Sequence, residues 1–335
     1  MARPTLDDIA KRVGVSRGLV SLALRELPGV RDSTRIAIKA VAAEVGYIPD
    51  AAARNLASRA TGAIGVMIGP MRNPFFADVV AGLTAPFEES GYHIFMVSGR
   101  HDPTPERSLL QLFRSYRMDG AVLVGPQLDS HAIERFGTEL PTVMVGRNMR
   151  SDRIDVIVGD DRRGAALAVE HLYNLGHRDI AHLSGGIGPG APERRRSYIE
   201  TMKRLGLDRH IRVVGGGYTV PDTVAGIAEL LTTRPPTAIF AVSDVVAIAA
   251  IQELARAGLS VPDDVSIVGY DNSSLISQLR LGLSSIDQPR EQMGQLAAEL
   301  LLERFAGRTV AVKHLLTPTV VARTSSAIVG PARSR

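Results

Sequence analysis

The chain has 335 residues, 45% hydrophobic and 22% charged, enough for one large core plus a small extra domain and ordinary for a soluble globular protein. It contains no cysteine, which excludes disulfides, thiolate metal sites and a cysteine nucleophile. The net charge of +4 sits wholly in the first 60 residues, which hold ten basic against six acidic side chains, while the rest of the chain balances. That is where an electrostatic footprint for phosphate would lie if this segment binds DNA. No apolar run reaches the length of a membrane span, and the N-terminus lacks a basic-then-apolar leader, so a cytoplasmic protein with no membrane partner is expected.

Thr5 followed three residues later by Asp8 reads as a helix N-cap with its acidic partner. Leu6, Ile9, Ala10 and Val13 then recur at helical spacing, and Gly14 ends the helix with the positive φ that a tight turn needs. Ser16 caps a second helix from Arg17 to about Leu24, with Val20 and Leu24 inward. Two short helices joined this tightly predict a helix-turn-helix. A third helix is expected from about Asp32 to Val45, packing Ile36, Ala40 and Val41 on the first two. Spacing alone is equally compatible with a three-helix domain that never touches DNA. After Tyr47, Asp50 can cap a short Ala-rich helix carrying Arg54, Asn55 and the single bulky Leu56. So short a helix is not stable alone. Leu56 could wedge between base steps in the minor groove, or dock on its own protein.

Residues 5–62, from TLDDIAKRVGVSRGLVSLALRE to GYIPDAAARNLA, resemble the DNA-binding headpiece and hinge helix of the LacI/GalR family. The resemblance implies DNA contacts from Thr5, Leu6, Ser16, Arg17, Gly18, Ser21, Leu22, Arg25, Tyr47, Arg54, Asn55 and Leu56. It places the helix from Arg17 in the major groove and Leu56 in the minor groove. Gly18 has no side chain and Leu22 offers only apolar contact, so direct readout rests mainly on Arg17, which can pair bidentately with guanine. Arg25 reads as a phosphate or solvent contact. Position 31 is Arg where the family usually caps with Ser, and Asp32 is expected to take over that cap.

From Gly62 short apolar runs alternate with amphipathic helices. Strands are predicted at 63–68, 94–98, 121–124, 142–145, 156–158, 180–183, 238–242, 266–270 and 284–286. Intervening helices include 76–89, 162–175, 193–204, 244–257 and 292–305. Alternating βα units with buried strands predict parallel sheets with helices on both faces, in two similar lobes. Ligands of such sheets bind beyond the carboxyl ends of the strands. Asn73-Pro74-Phe75-Phe76, Asp160-Asp161, Ser243-Asp244 and Asp271-Asn272 fall there, and suit a polyhydroxylated ligand. Asp160, Asp244 and Asp271 could instead merely cap the helices that follow, a reading favoured for Asp244.

This region also resembles the LacI/GalR family, whose core is similar to periplasmic sugar-binding proteins. The stretches that carry it are NPFF at 73–76, DDRRGAALAVEHLYNLGHRDIAHLSG from 160, PTAIFAVSD from 236, VPDDVSIVGYDN from 261 and LSSIDQP from 283. The implied fold is α/β: an all-α helix-turn-helix headpiece (1–49), a hinge helix (50–61) and a two-lobed periplasmic-binding-protein-like core of doubly wound parallel sheets (62–330). Lobe 1 would take about 62–160 plus 290–317, and lobe 2 about 161–289 plus 318–330. The implied effector site comprises Asn73, Phe76, Asp160, Arg194, Tyr218, Ser243, Asp271 and Gln288. Ser243 replaces the usual Asn, Ser197 replaces a Gly, and Gly146 stands where many members have Asp. These departures remove hydroxyl-binding groups and argue against a common hexose bound in the usual way. Arg195 and Arg196 read as a solvated helix face rather than as partners for an acidic ligand.

No catalytic set emerges, so no enzyme activity is expected. Gly185 to Gly190 lacks the Gly-Lys-Ser/Thr ending of a P-loop and reads as a loop at the cleft mouth. Ser184 lacks a nucleophile elbow. His171 and His177 have no metal spacing, so neither a metal nor a cofactor is expected. The expected function is a transcriptional regulator, in the repressing sense commoner in that family. It would bind a pseudopalindromic double-stranded operator as a homodimer under control of a sugar-like small-molecule effector. The segment from Thr324 has no apolar heptads, which favours a dimer over a tetramer. The competing reading is a ligand-binding receptor without a DNA role.

Overall fold

The computed structural model describes residues 4–47, 60–278, 280 and 282–329. The chain divides into two compact units, Met1–Thr61 and Gly62–Arg335.

The first unit is built on helices α1 (Leu6–Val13), α2 (Arg17–Leu24) and α3 (Asp32–Glu44). Thr5 and Asp8 close a reciprocal capping box at the start of α1, and Gly14 leaves it at φ 73°. Ser16 accepts from the Leu19 amide and opens α2. Ile9, Val20, Ala23 and Ile38 are fully buried where the three helices meet. Arg35 donates to the Ala23 and Leu27 carbonyls, which occupies acceptors at the end of α2. The inward face of α3 differs from expectation. Ile38 and Ala42 are buried, whereas Ile36 is 68% exposed and Ala40 is exposed. Two positions along a helix is a turn of about 200°, so Ile36 and Ile38 cannot share a face. Asp32 does not cap either. Arg31 is the N-cap and makes no side-chain cap bond, and Asp32 is the first helical residue. The hinge positions Arg54, Asn55 and Leu56 lie outside the described residues.

The second unit holds two six-stranded sheets. In chain order its elements begin β1 (Ala63–Ile68), α4 (Pro74–Glu89), β2 (His93–Ser98), α5 (Pro103–Ser115), β3 (Gly120–Val124), α6 (Ser130–Gly137), β4 (Thr142–Val145) and β5 (Asp155–Gly159). The chain then passes to α7 (Asp161–Asn174), β6 (Ile180–Leu183), α8 (Ala191–Arg204), β7 (Arg212–Val214), α9 (Val220–Leu231) and β8 (Ala238–Ala241). It continues through α10 (Asp244–Arg256), β9 (Ser266–Asp271), α11 (Ser274–Gln278) and β10 (Ser284–Asp287). It returns through α12 (Arg290–Phe305) and β11 (Lys313–Leu316) and crosses back to β12 (Thr319–Val321).

The first sheet runs β11-β5-β4-β3-β1-β2 and the second β12-β10-β9-β8-β6-β7. Pairing is parallel throughout except between β10 and β12. The parallel sheets expected are present, with the short edge strand β12 added antiparallel. β7, β11 and β12 were not anticipated: each has three or four residues and no continuous apolar run.

Helix α12 returns to lobe 1, where Met293, Ala297 and Leu301 join Phe76, Val79 and Leu83 in one core cluster. Glycine is required at that contact, because a Cβ on Gly82 would lie 2.0 Å from the Glu291 carbonyl oxygen. The segment after β12 is bound into lobe 2. Ser325 bridges the Ser284 amide and the Ile267 carbonyl. His171 bonds Ser326, and His177 bonds Thr237 and the Ala327 carbonyl, so both histidines fasten this segment.

Candidate functional site

The carboxyl ends of the strands of both sheets converge on one cleft, as the topology of doubly wound sheets requires. An inner chamber of about 40 Å³ lies there, lined by Asn73, Phe75, Phe76, His101, Gly125, Gly146, Pro189, Arg194, Tyr218, Asp271 and Gln288. Every one of these follows or ends a strand. Asn73 caps α4, with its side chain on the Phe75 amide and Pro74 in the first turn. That cap turns both phenylalanines inward, and their rings meet edge to face at 5.4 Å.

Arg194 anchors the lobe 2 wall. Its side chain is 6% exposed, with Nε donating to Asp161 at 2.8 Å and Nη1 donating to the Val242 carbonyl at 2.6 Å. Its guanidinium lies 3.6 Å over the Tyr270 ring centre. Burial opposes this charge, but the attraction of Asp161 and its neighbours outweighs burial and raises the pKa further, so Arg194 stays cationic. Asp271 lies 3.9 Å from Arg194 and accepts from Gln288 Nε2 at 2.8 Å. Burial raises the Asp271 carboxyl well above the usual range against the pull of Arg194, and Asp244 behind it adds to the rise. Its backbone has φ 105°, a strained conformation of a kind that concentrates at functional sites.

Six of the anticipated effector residues come together: Asn73, Phe76, Arg194, Tyr218, Asp271 and Gln288. Asp160 and Ser243 do not line the chamber. Asp160 caps α7 by accepting from the Arg163 amide, and Ser243 caps α10 by accepting from the Val246 amide. Asp244, read as the cap, is instead a buried carboxylate that accepts from the Ser273 amide and the Ser285 hydroxyl. Burial raises its pKa too. Ser197 is buried against the Arg162 carbonyl outside the chamber, and Arg195 and Arg196 are exposed.

Sequence reasoning missed His101 as a chamber wall and Asp161 as the partner of Arg194. It placed Phe75 and Pro189 at the cleft, within NPFF and the Gly185–Gly190 loop, without counting either among the effector residues. His101 carried no signal in the sequence. Burial lowers its pKa to about 4, which keeps the ring neutral, and its buried Nε2 has no hydrogen-bond partner among the described residues. It bridges Phe76 (5.7 Å between rings) and Tyr218 (6.2 Å), which makes an aromatic chain across the cleft. Tyr218 donates its hydroxyl to the Pro189 carbonyl at 2.7 Å.

Arg290 ties the lobes together behind the chamber. Its Nε donates to Asp78 on α4 at 2.9 Å, while Nη1 bonds Asp287 and the backbone carbonyls of Gln288 and Asp271. The Asp78 carboxylate also accepts from the Ser274 amide of lobe 2.

In the headpiece, Arg17, Gly18 and Arg25 on α2 are exposed, as are Thr5 and Ser16, while Ser21 and Leu22 are half-buried. No acidic residue lies in the first turn of α2, so the positive end of that helix is not offset by a carboxylate of its own. Asp7 approaches Arg17 only to 3.8 Å, with both side chains exposed. Leu6 and Tyr47 pack against the headpiece core. Among the described residues no cluster of ligand-type side chains could hold a metal ion, and no helix is long and apolar enough to cross a membrane.

The family profile described as bacterial regulatory proteins, lacI family, matches residues 5–50, and that of a periplasmic binding protein-like domain matches residues 169–326. The HTH-type transcriptional regulator CelR of Thermobifida fusca is 32% identical over 95% of this chain and 96% of its own length. The HTH-type transcriptional repressor PurR of Aliivibrio fischeri is 29% identical over 96% of this chain and 98% of its own. The crystal structure of the lac repressor dimer bound to operator and the anti-inducer ONPF superposes with a TM-score of 0.83 at 25% identity, covering 97% of this chain and all of that one. The structure of a CelR–cellobiose complex gives 0.70 at 28% identity over 96% of this chain and all of that one. The chain therefore belongs to the LacI family of bacterial regulatory proteins: it is a DNA-binding transcriptional regulator with a periplasmic-binding-protein-like core.

Proposed function

We propose that this regulator binds a pseudopalindromic operator as a homodimer and is a repressor controlled by a small sugar-like effector held between its two lobes. The observation that carries the effector reading is the buried Arg194–Asp271–Gln288 set, with Tyr218 beside it and Phe75 and Phe76 across the cleft. Aromatic faces that cover an apolar side, with a carboxyl, an amide and a guanidinium that fix hydroxyls, suit a hydroxylated ring. A neighbour of the same architecture was solved with cellobiose.

The chamber of about 40 Å³ holds little more than one water at roughly 30 Å³ each. A sugar ring therefore requires Tyr218 to leave or the lobes to part, and the geometry described is the closed arrangement. Effector then acts by differential affinity for open and closed arrangements. Arg290 is positioned to relay the change, because it bonds the Asp271 carbonyl and the Asp78 side chain of α4 at once.

On the DNA side, Arg17 at the exposed start of α2 is assigned the guanine-reading role and Gly18 close backbone approach. Thr5, Leu6, Ser16, Ser21, Leu22, Arg25, Tyr47, Arg54 and Asn55 are assigned supporting contacts, and Leu56 the minor-groove wedge. One short headpiece offers few base contacts, so a two-fold pair is needed for specificity. Two apolar surfaces support self-association: Phe95 and Met96, 51% and 44% exposed on edge strand β2, and a groove of about 300 Å³ along Ile248, Ile251, Val261 and Leu283.

The test is selection of duplexes from a random pool by the full chain, then gel shift of the selected sequence with and without candidate metabolites. Recovery of a two-fold symmetric sequence whose binding responds to a metabolite is the expected outcome. A chain that prefers no duplex sequence under any condition would refute it.

A further inference from the structure

Tyr218 and His101 divide the cleft. Inside them lies the chamber of about 40 Å³, and outside lies a vestibule of about 490 Å³ that shares only Asn73, His101 and Tyr218 with it. The vestibule has the size of a small-molecule site in its own right. Its lobe 2 wall is apolar, formed by Ile187, Val220, Pro221 and Val245 with glycine backbone between them. Ile187 is 89% and Val220 52% exposed, so both present apolar surface to whatever enters the cleft mouth.

The opposite wall, on lobe 1, carries Arg72 and Arg100. Both are exposed, and neither makes an ion pair or a side-chain hydrogen bond among the described residues. Some exposed arginines of the same unit, such as Arg107 and Arg114, meet a carboxylate and others, such as Arg135 and Arg150, meet none among the described residues; Arg72 and Arg100 are of the second kind and face the vestibule. Arg100 and His101 are both held in the left-handed region, at φ 60° and 54°. Two successive non-glycine residues in that region form a strained turn, and such strain gathers where it positions a functional group. Here it sets a guanidinium at the vestibule and an imidazole at its floor. Asp222 is the carboxylate on the wall, and it is already committed to the Thr219 amide and hydroxyl. Cationic groups therefore exceed anionic ones by one.

We propose that the vestibule is a second ligand compartment that takes an amphipathic organic anion, with an aryl or alkyl body against Ile187, Val220 and Pro221 and a carboxylate directed to Arg72 and Arg100. An apolar wall alone would take a neutral hydrophobe, and two unpaired arginines alone would take inorganic phosphate. Their juxtaposition selects a molecule with both parts. Because the two walls belong to different lobes, an occupant favours the closed arrangement and so biases whatever occupies the inner chamber.

Isothermal titration of the full chain with 4-phenylbutanoate, 4-phenylbutan-1-ol and acetate tests this. The acid is expected to bind at least about tenfold more tightly than the alcohol, which has the body without the charge, or acetate, which has the charge without the body. Its affinity falls with added salt. The double variant Arg72→Ala/Arg100→Ala is expected to weaken the acid at least about tenfold with an unchanged melting temperature, and Arg72→Lys/Arg100→Lys to restore part of the loss. Ile187→Asp weakens the acid, while Arg195→Ala, on the exposed face of α8, leaves it unaffected. No binding of the acid, equal binding of acid and alcohol, or undiminished binding to the double alanine variant would each overturn the proposal. None of these results touches the inner-chamber reading, which is tested by loss of the metabolite response in Asp271→Ala.

Discussion

Replacing Arg194 with Met keeps most of the side-chain volume and removes the guanidinium. Arg194 and Asp161 are 6% and 10% exposed, so this is a buried pair, and the small values found for surface ion pairs do not apply. Removing one partner of a buried pair costs about 3–5 kcal/mol, because the other charge is stranded in a medium that solvates it poorly. The Val242 carbonyl loses its side-chain donor as well, a further penalty of about 1 kcal/mol or more. Arg194→Met should therefore destabilise the core by about 4–6 kcal/mol. Asp161→Leu should cost somewhat less, since Arg194 keeps the Val242 carbonyl, the Tyr270 ring and Asp271 nearby. The double variant leaves neither member of the Arg194–Asp161 pair stranded and should cost less than the sum, leaving a coupling of at least about 2 kcal/mol. Urea unfolding of the full chain followed by tyrosine fluorescence reads this out, because six of the seven tyrosines lie beyond residue 61 and report on the core. Strict additivity of the two single variants would mean that Arg194 and Asp161 do not pair in solution, and the geometry assigned to this wall would be wrong.

Asp271→Ala is expected to abolish the response to effector while leaving binding to the selected duplex, and a retained response would place the effector elsewhere. Leu56→Ala should weaken specific binding far more than non-specific binding in a salt-matched gel shift, and unchanged specific affinity rejects the wedge. Gly18→Ala should strengthen the headpiece helix by up to about 1 kcal/mol, since an added Cβ meets only Ser16 Oγ at 3.9 Å. The same change should weaken operator binding, and a variant both more stable and equally tight on DNA would show that Gly18 does not need close approach. His182 is fully buried, stacked 4.7 Å from Phe240, with burial lowering its pKa from 6.5 to about 4. The unfolded chain binds this proton below pH 6.5 and the folded one does not until about 4. Stability therefore falls as pH drops through that window, by up to about 3 kcal/mol at 1.36 kcal/mol per pKa unit. His182→Phe keeps the stack and should flatten that part of the urea-midpoint profile, whereas a profile parallel to the parent's would acquit His182.

What was legible in the sequence was whatever local chemistry determines. Thr5 with Asp8, Gly14 and Ser16 each act within one turn of helix, and each does in the structure what its residue type favours. The chamber was legible for two different reasons: the strand ends of doubly wound sheets place Asn73 and Asp271 at the cleft, whereas Arg194 and Gln288 were placed only through the resemblance to the family. The failures lie where one position decides the role. A helix turns about 100° per residue, so exchanging Asp160 for Asp161, or Ser243 for Asp244, exchanges a helix cap for a buried ligand of another side chain. In each pair the first residue holds the cap, which frees the second to reach across the lobe, Asp161 to Arg194 and Asp244 to Ser273 and Ser285. His101 was invisible for a third reason. Its place depends on two successive left-handed residues after an edge strand, a conformation that neither Arg nor His favours and that only the assembled loop imposes. It is the residue that closes the chamber against Tyr218. Specificity in this fold is thus carried least by the motifs that identify it and most by the loops that those motifs leave free to vary.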